Sequence, residues 1–177
     1  MKYDPHRHGR RTIRLPGHDY AANGAYFVTI VCQDRELLFG DPMMHAVVES
    51  AWLWLGQQNE YVVLDEFVLM PNHLHGIIVI QGPVGAVREP PPHRARKPLG
   101  RLIGAFKTVS TKRINELRDT PGEPVWQRNY YGRIIRDSGE LQRIRVYITR
   151  NPSEWDSDEE NPENSHAVTR RTGSTVP

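Results

Sequence analysis

Residues 70–76 read Met-Pro-Asn-His-Leu-His-Gly and join two runs of strand-forming residues. The two-residue link between the runs predicts a tight β-hairpin. Side chains alternate along a strand, so His73 and His75 share one face while Leu74 points into the core. Two imidazoles on one face can bind a divalent cation. The pattern alone is more often that of two surface or hydrogen-bonded histidines, so its meaning depends on the rest of the chain.

Helical and extended periodicities surround this hairpin. The predicted order is strand, helix, strand, strand, helix, strand, helix, at residues 25–32, 42–56, 61–70, 73–80, 99–118, 125–135 and 139–150. Ser138 is the expected N-cap of the last helix, and Pro152 ends that helix because a residue before proline disfavours helical geometry.

Composition and charge divide the chain unevenly. It has 177 residues and one cysteine, which fits one domain in a reducing compartment. Residues 1–152 carry 21 basic and 15 acidic residues, whereas the charged residues of 153–164 are all acidic. We therefore expect a basic N-terminal arm at 1–20, a domain at 21–155 and a disordered acidic and polar tail at 156–177. No apolar stretch reaches the length of a membrane span, which predicts a cytoplasmic protein with no membrane partner.

Basic residues concentrate in the N-terminal arm and in residues 88–118, where nine basic residues accompany two acidic ones. A solvated helix face gives the same pattern, but so does a surface that contacts the phosphates of a nucleic acid. The candidates for DNA contact in these two regions are Arg10, Arg11, Arg14, Lys107, Lys112 and Arg113.

The last predicted helix carries Tyr147 and Asn151 at i and i+4, so both can lie on one face. If that face meets the histidines, Tyr147 offers a nucleophile and the Asn151 amide oxygen a third ligand. Two imidazoles and one amide oxygen suit Mg²⁺ or Mn²⁺ with open water positions. Arg143 and Arg150 flank the tyrosine and can neutralise charge on a phosphate. A tyrosine at a helix edge is also commonly a packing residue with a polar tip.

Four blocks carry a family resemblance: Phe-Val-Leu-Met-Pro-Asn-His-Leu-His-Gly at 67–76, Trp-Gln-Arg-Asn-Tyr-Tyr at 126–131, Ile-Ile-Arg-Asp at 134–137, and Arg-Val-Tyr-Ile with Asn-Pro and Trp at 145–155. In this order they resemble the REP-associated tyrosine transposases of the single-tyrosine HUH transposase superfamily, which also occurs in the smallest bacterial insertion sequences. The resemblance covers about residues 10–155.

The resemblance implies a ferredoxin-like α/β (α+β) sandwich, in which helices pack on one face of an antiparallel sheet. It implies that His73 and His75 are paired metal ligands for Mg²⁺ or Mn²⁺, that Tyr147 is the nucleophile and that Asn151 is the third ligand. Such proteins cut single-stranded DNA beside hairpins of repetitive extragenic palindromes. They leave a 5′-phosphotyrosine and a free 3′-OH, which can rejoin strands without a nucleotide cofactor. A bacterial protein associated with the nucleoid is then expected.

Several alternatives stay open at this point. Tyr130 and Tyr131 also invite assignment as nucleophile, although neither has a ligand partner at i+4 and their segment reads as strand or loop. A domesticated protein could bind hairpin or single-stranded DNA without cutting it. An unrelated metal-dependent hydrolase would need a carboxylate-rich site. The protein could be a monomer or a homodimer, since the site can be built from one chain, whereas relatives outside the REP-associated group dimerise and exchange the tyrosine helix between subunits.

Overall fold

The hairpin around residues 70–76 forms the centre of a four-stranded antiparallel sheet. The computed structural model describes residue 15 and residues 17–81, 96–158 and 160–164. The predicted contact residues Arg10, Arg11 and Arg14 lie outside these described residues.

The four strands are β1 (Gly24–Val31), β2 (Val62–Met70), β3 (His73–Ile80) and β4 (Tyr131–Ile135), in the spatial order β2-β3-β1-β4. Every neighbouring pair is antiparallel. As predicted, β2 and β3 form a tight hairpin through Pro71 and Asn72. Because β3 is flanked by strands on both edges, its apolar run is buried almost throughout.

Three helices pack on this sheet: α1 (Pro42–Gln57), α2 (Leu99–Arg118) and α3 (Ser138–Arg150). A 3₁₀ helix, Asn151–Ser157, continues from α3. Asp41 caps α1 and accepts hydrogen bonds from two backbone N–H groups, as its position before proline predicts. The N-cap of α3 is Asp137, which accepts from the backbone N–H of Glu140 at 2.8 Å, so the prediction of Ser138 as the cap was wrong by one residue.

The mixed α/β class and the antiparallel sheet are confirmed, but the helices do not all lie on one face. Helices α1 and α2 pack with one set of strand residues, including Tyr26, Val28 and Leu74. Ile148 of α3 packs with Phe27 and the other alternating set, on the opposite face. The sheet is apolar on both faces, so a single layer of helices would leave half of it exposed to water.

The polypeptide beyond residue 155 departs from the expected tail. Residues 156–158 and 160–164 are part of the folded body, and Glu160 and Asn161 are buried. The prediction of a disordered tail beginning at residue 156 was therefore wrong for these residues. Acidic composition predicted solvation, but the hydrogen bonds and the ion pair described below hold the buried residues of this segment in place. Residues 165–177 lie outside the described part of the chain.

None of the described helices is both long enough and apolar enough to span a bilayer.

Gly76 is required by the close passage of α1 over β3. A Cβ atom at Gly76 would stand 2.6 Å from Cζ2 of the buried Trp52. We predict that Gly76→Ala lowers the free energy of unfolding by about 1–3 kcal/mol, because the Trp52 ring must move within a packed core. Chemical denaturation measures this loss.

Gly104→Ala is the matched control, because a Cβ at exposed Gly104 in α2 meets nothing within 4 Å. It should raise stability by about 0.5–1 kcal/mol through helix propensity. Equal effects of the two substitutions would contradict the packing described for Gly76.

Candidate functional site

The side chains of His73 and His75 converge on one point. Their Nε2 atoms lie 3.0 Å apart, and both residues are buried. Two nitrogens that each lie about 2.1 Å from one cation, at about 90° to each other, are separated by about 3 Å. The pair therefore has the separation of two ligands on one ion. The prediction that both histidines share a face, with Leu74 in the opposite core, is confirmed.

Asn72 fixes the orientation of His73. The Asn72 Nδ2 group donates to the carbonyl oxygens of Glu160 at 2.7 Å and Arg35 at 3.3 Å, which assigns the amide orientation. The Oδ1 atom then faces His73 Nδ1 at 2.9 Å and can only accept. His73 accordingly carries its proton on Nδ1 and, when neutral, presents a lone pair at Nε2, as a metal ligand must.

His75 is held from its other side by β1. Its Nδ1 atom lies 2.8 Å from the hydroxyl of Thr29, which stands directly opposite it in the sheet register. The ring of Phe27 stacks on the His75 ring with centroids 5.5 Å apart. A threonine hydroxyl can accept from Nδ1–H, and Nε2 of His75 then carries the lone pair that faces the shared point.

Tyr147 reaches this histidine pair from α3. Its hydroxyl oxygen lies 3.2 Å from His75 Nε2, and its ring meets Phe27 edge-on at 6.0 Å. The side chain is 43% exposed, whereas the neighbouring Ile148 is buried. The phenol thus lies beside the candidate cation position and remains accessible to a substrate. One chain supplies both the histidines and the tyrosine.

Asp65 and Arg145 hold α3 on the sheet. The Arg145 guanidinium donates to both carboxylate oxygens of Asp65, at 2.8 and 2.5 Å, and so joins α3 to β2 two residues before Tyr147. This hydrogen bond lowers the pKa of the Asp65 carboxyl below its ordinary value and raises the pKa of Arg145. The bidentate pair restrains the helix that carries the tyrosine.

Asp158 is a candidate ligand that the sequence reasoning missed. Its Oδ2 atom lies 3.9 Å from His73 Nε2, and His73, His75 and Asp158 each offer a ligand atom within 4.8 Å of the others. The signal available in the sequence was the acidic run after residue 153, which composition alone assigns to solvent. Trp155 of the same segment packs near the His73 ring, with centroids 6.1 Å apart.

Asn151, the predicted third ligand, begins the 3₁₀ helix that follows α3. It is buried, and its Oδ1 atom has no hydrogen-bond partner among the described residues. A buried carbonyl oxygen without a donor is costly unless something else satisfies it. This environment suits an atom that binds a cation, and the role of Asn151 as ligand stays a prediction.

The tyrosine pair at 130–131 is divided by the fold. Tyr131 lies opposite Thr29 in the sheet, and its ring contacts Phe27 at 6.3 Å. Tyr130 lies beside Lys107, whose Nζ is 5.9 Å from the ring centroid. Tyr147, by contrast, has a hydroxyl within hydrogen-bond distance of His75.

The predicted DNA-contacting residues of the described chain fall on two sides of the sheet. Arg143 and Arg150 are exposed on α3 with Tyr147, and neither forms an ion pair within the described residues. Lys107, Lys112 and Arg113 belong to α2, on the opposite side of the sheet. A groove of about 850 Å³ lies on that side, between α2 and residues 119–128.

The three basic residues of α2 also differ in the contacts that they form within the protein. Lys107 Nζ donates to the carbonyl oxygens of Gln127 and Asn129, at 2.7 and 2.9 Å. Arg113 donates to Ser50 of α1 at 3.2 Å. Lys112 is well exposed and lies 3.9 Å from Glu116. Burial lowers the pKa of Lys107 to about 8. The hydrogen bonds of Lys107 thus link α2 to the loop at residues 127–129.

Comparisons with known proteins agree with this fold. No known family model matches the chain. A solved structure of a REP-associated tyrosine transposase bound to a REP hairpin has a TM-score of 0.58 and 16% sequence identity, and the match covers 80% of this chain and 73% of that one. The chain therefore has the fold of the REP-associated tyrosine transposases, as its motifs predicted.

A closer likeness exists at the level of sequence. An uncharacterised protein of Haemophilus influenzae is 35% identical over 178 residues, covering 89% of this chain and 96% of that protein. The chain belongs to the same family as this Haemophilus influenzae protein.

The Asp65–Arg145 pair predicts a specific pH dependence. Because the folded-state pKa of Asp65 lies below its ordinary 3.8, its contribution is present above about pH 4 and is lost as the pH falls through the folded-state value. Asp65→Asn should lower the urea midpoint at pH 7 and differ less from the wild type at pH 3. Glu116→Gln, which removes the exposed pair with Lys112, should barely move the midpoint. A difference for Asp65→Asn that persists unchanged at pH 3 contradicts this assignment.

The environment of Lys107 predicts a shifted titration. In the folded protein the Lys107 side-chain ¹³Cε resonance should titrate with a midpoint near pH 8, because burial disfavours the ammonium form. NMR measures the midpoint, and loss of the resonance in Lys107→Arg assigns it. A midpoint above pH 10 would show that the neighbouring backbone carbonyls of Gln127, Arg128 and Asn129 outweigh burial.

Proposed function

We propose that this protein is a metal-assisted DNA strand transferase, a tyrosine transposase that cleaves and rejoins single-stranded DNA at palindromic, REP-type hairpins. One observation carries the proposal. The Tyr147 hydroxyl lies 3.2 Å from His75 Nε2, which itself lies 3.0 Å from His73 Nε2, all within one chain. A nucleophile beside a paired-imidazole cation site is an arrangement that supports phosphoryl transfer to tyrosine.

In the proposed cleavage step the Tyr147 oxygen gives up its proton and forms a bond to the phosphorus of a DNA phosphodiester. The bond from phosphorus to the 3′ oxygen breaks, and that oxygen takes up a proton. The products are a 5′-phosphotyrosine and a free 3′-OH. In the rejoining step a 3′-OH attacks the same phosphorus and the tyrosine oxygen leaves. Each step exchanges one P–O bond for another, so no nucleotide cofactor is needed.

The cation fits the donor set that the chain offers. His73 and His75 would hold it, with Asn151 as the predicted further ligand, and imidazole with oxygen donors suits Mg²⁺ or Mn²⁺. When bound, the cation would act as a Lewis acid on a phosphate oxygen. The hydrogen bonds of Asn72 and Thr29 to the two Nδ1 atoms orient the rings for this purpose.

The proposed partner is single-stranded or hairpin DNA. The similar transposase was solved with a REP hairpin bound. Arg143 and Arg150 flank Tyr147 and can contact phosphates near the reacting one. Arg10, Arg11 and Arg14 of the basic arm, with Lys112 on α2, are proposed to contact DNA further away. A single chain can form the site, so a monomer suffices for the chemistry and a homodimer is not needed for it.

The proposal predicts a covalent adduct that depends on one tyrosine. With Mn²⁺ and a labelled hairpin oligonucleotide made from palindromes near the gene, the wild type should form a protein–DNA adduct on a denaturing gel. Tyr147→Phe should abolish the adduct, because it removes only the nucleophilic oxygen. Tyr131→Phe is the matched control and should retain adduct formation.

The other outcomes separate the alternative functions. Adduct formation by Tyr147→Phe shows that the nucleophile is another residue. Hairpin binding without cleavage in any metal favours a domesticated DNA-binding protein. Release of 5′-phosphate ends without an adduct favours a metal-dependent hydrolase.

A further inference from the structure

The segment after the 3₁₀ helix returns to the histidine pair. This C-terminal segment, defined as Asp158 with residues 160–164, packs against the end of the β2–β3 hairpin. Its carboxylate-bearing residues lay in the run that the sequence assigned to solvent. The segment nevertheless contains two buried residues, Glu160 and Asn161. Some specific set of contacts must therefore hold it in place.

The Asp158 carboxylate is aimed at the candidate cation position. Its Oδ1 atom accepts from the backbone N–H of Glu160 at 2.6 Å, which leaves Oδ2 facing His73 Nε2 at 3.9 Å. The side chain is only 9% exposed. Ligand atoms about 2.1 Å from one cation lie about 3 to 4 Å from each other. The 3.0 Å between the two Nε2 atoms and the 3.9 Å from His73 Nε2 to Asp158 Oδ2 fall in this range.

Glu160 fastens this carboxylate in position. Its Oε2 atom accepts from Arg35 Nε at 2.8 Å, and its backbone oxygen accepts from Asn72 Nδ2 at 2.7 Å. The same Asn72 side chain accepts from His73 Nδ1. One amide thus touches both a proposed ligand and the segment that brings the next one.

We propose that Asp158 is a ligand of the cation and that the contacts of Glu160 with Arg35 and Asn72 position it. This inference rests on the proposed function, because it assigns a further residue to the same cation. A carboxylate adds a hard anionic donor to two imidazoles, which favours Mn²⁺ and Mg²⁺. Cation binding and docking of the C-terminal segment then strengthen each other reciprocally, since each is coupled to the other through one ligand.

Titration of the full-length protein with Mn²⁺, followed by the EPR signal of free Mn²⁺, tests this assignment. Asp158→Asn should weaken Mn²⁺ binding by at least about tenfold, and Glu160→Gln should weaken it in the same direction through loss of positioning. Asp156→Asn, which changes an exposed acid in the preceding 3₁₀ helix, should bind Mn²⁺ like the wild type. Exchange of the backbone amides of 160–164 should slow with Mn²⁺ in the wild type and not in Asp158→Asn.

A charge exchange keeps the test valid if a single variant is unstable. Arg35→Glu should weaken Mn²⁺ binding, and Arg35→Glu combined with Glu160→Arg should recover part of it. Arg118→Ala removes a neighbouring ion pair, with Glu36, that does not touch the segment, and it should have no effect.

The outcomes distinguish this inference from the proposed function. Equal Mn²⁺ affinity of Asp158→Asn and Asp156→Asn overturns the role of Asp158 while leaving the histidine site intact. Stronger Mn²⁺ binding by Asp158→Asn also overturns it, because the carboxylate would then obstruct the site. If the wild type and His73→Ala bind Mn²⁺ equally weakly, the proposed metal-assisted function itself fails.

Discussion

The 3.0 Å approach of the two Nε2 atoms of His73 and His75 is the contact on which the rest of the site depends. It follows from the two-residue alternation of a strand that is paired on both edges, which places both side chains on the same face of the sheet. Thr29 forms a hydrogen bond with Nδ1 of His75, and Asn72 forms one with Nδ1 of His73. Two buried imidazoles that present their remaining nitrogens to each other form a polar point inside an apolar layer, and a cation can satisfy it.

The second constraint is that the sheet is apolar on both faces. Helices α1 and α2 cover one face, and Phe27, Ile77 and Ile135 on the other need a cover of their own. Helix α3 provides this cover through Ile148, and Tyr147 immediately precedes Ile148 in the sequence. The same helix therefore completes the core and carries the proposed nucleophile. Packing explains why the tyrosine reaches the histidines of its own chain.

Sequence reasoning reached the parts that are determined locally. The hairpin, the four strands, the three helices and the shared face of His73 and His75 follow from periodicity and turn chemistry, and all are present. The position of α3 on the opposite face is a consequence of the tertiary fold, which periodicity within α3 does not encode. The proposed role of Asp158 was hidden for a different reason. Asp158 faces His73, and the neighbouring Glu160 binds Asn72 and Arg35. These three partners lie far away in the sequence, and an acidic run gives no local sign that it will be buried.

The roles of the basic side chains could not be predicted from the sequence either. In the sequence Lys107 and Lys112 both lie off the apolar stripe of α2, yet Lys107 donates to backbone carbonyl oxygens and Lys112 is exposed. Arg145 would pass for another phosphate contact, whereas it pairs with Asp65 and restrains α3. These differences depend on which loop or strand lies opposite each side chain. Only Arg143 and Arg150 combine exposure with a place on the helix of Tyr147.

The central claim is that Tyr147 is the residue that becomes linked to DNA, and mass spectrometry of a trypsin-digested adduct tests it most directly. Trypsin cleaves after arginine and so places the candidate tyrosines in different peptides. Tyr147 falls in the peptide 146–150, whereas Tyr130 and Tyr131 fall in the peptide 129–133. Nucleotide mass on the peptide 146–150 is the predicted result. The same mass on the peptide 129–133 would contradict the account, because a tyrosine on β4 and its loop would then be the nucleophile.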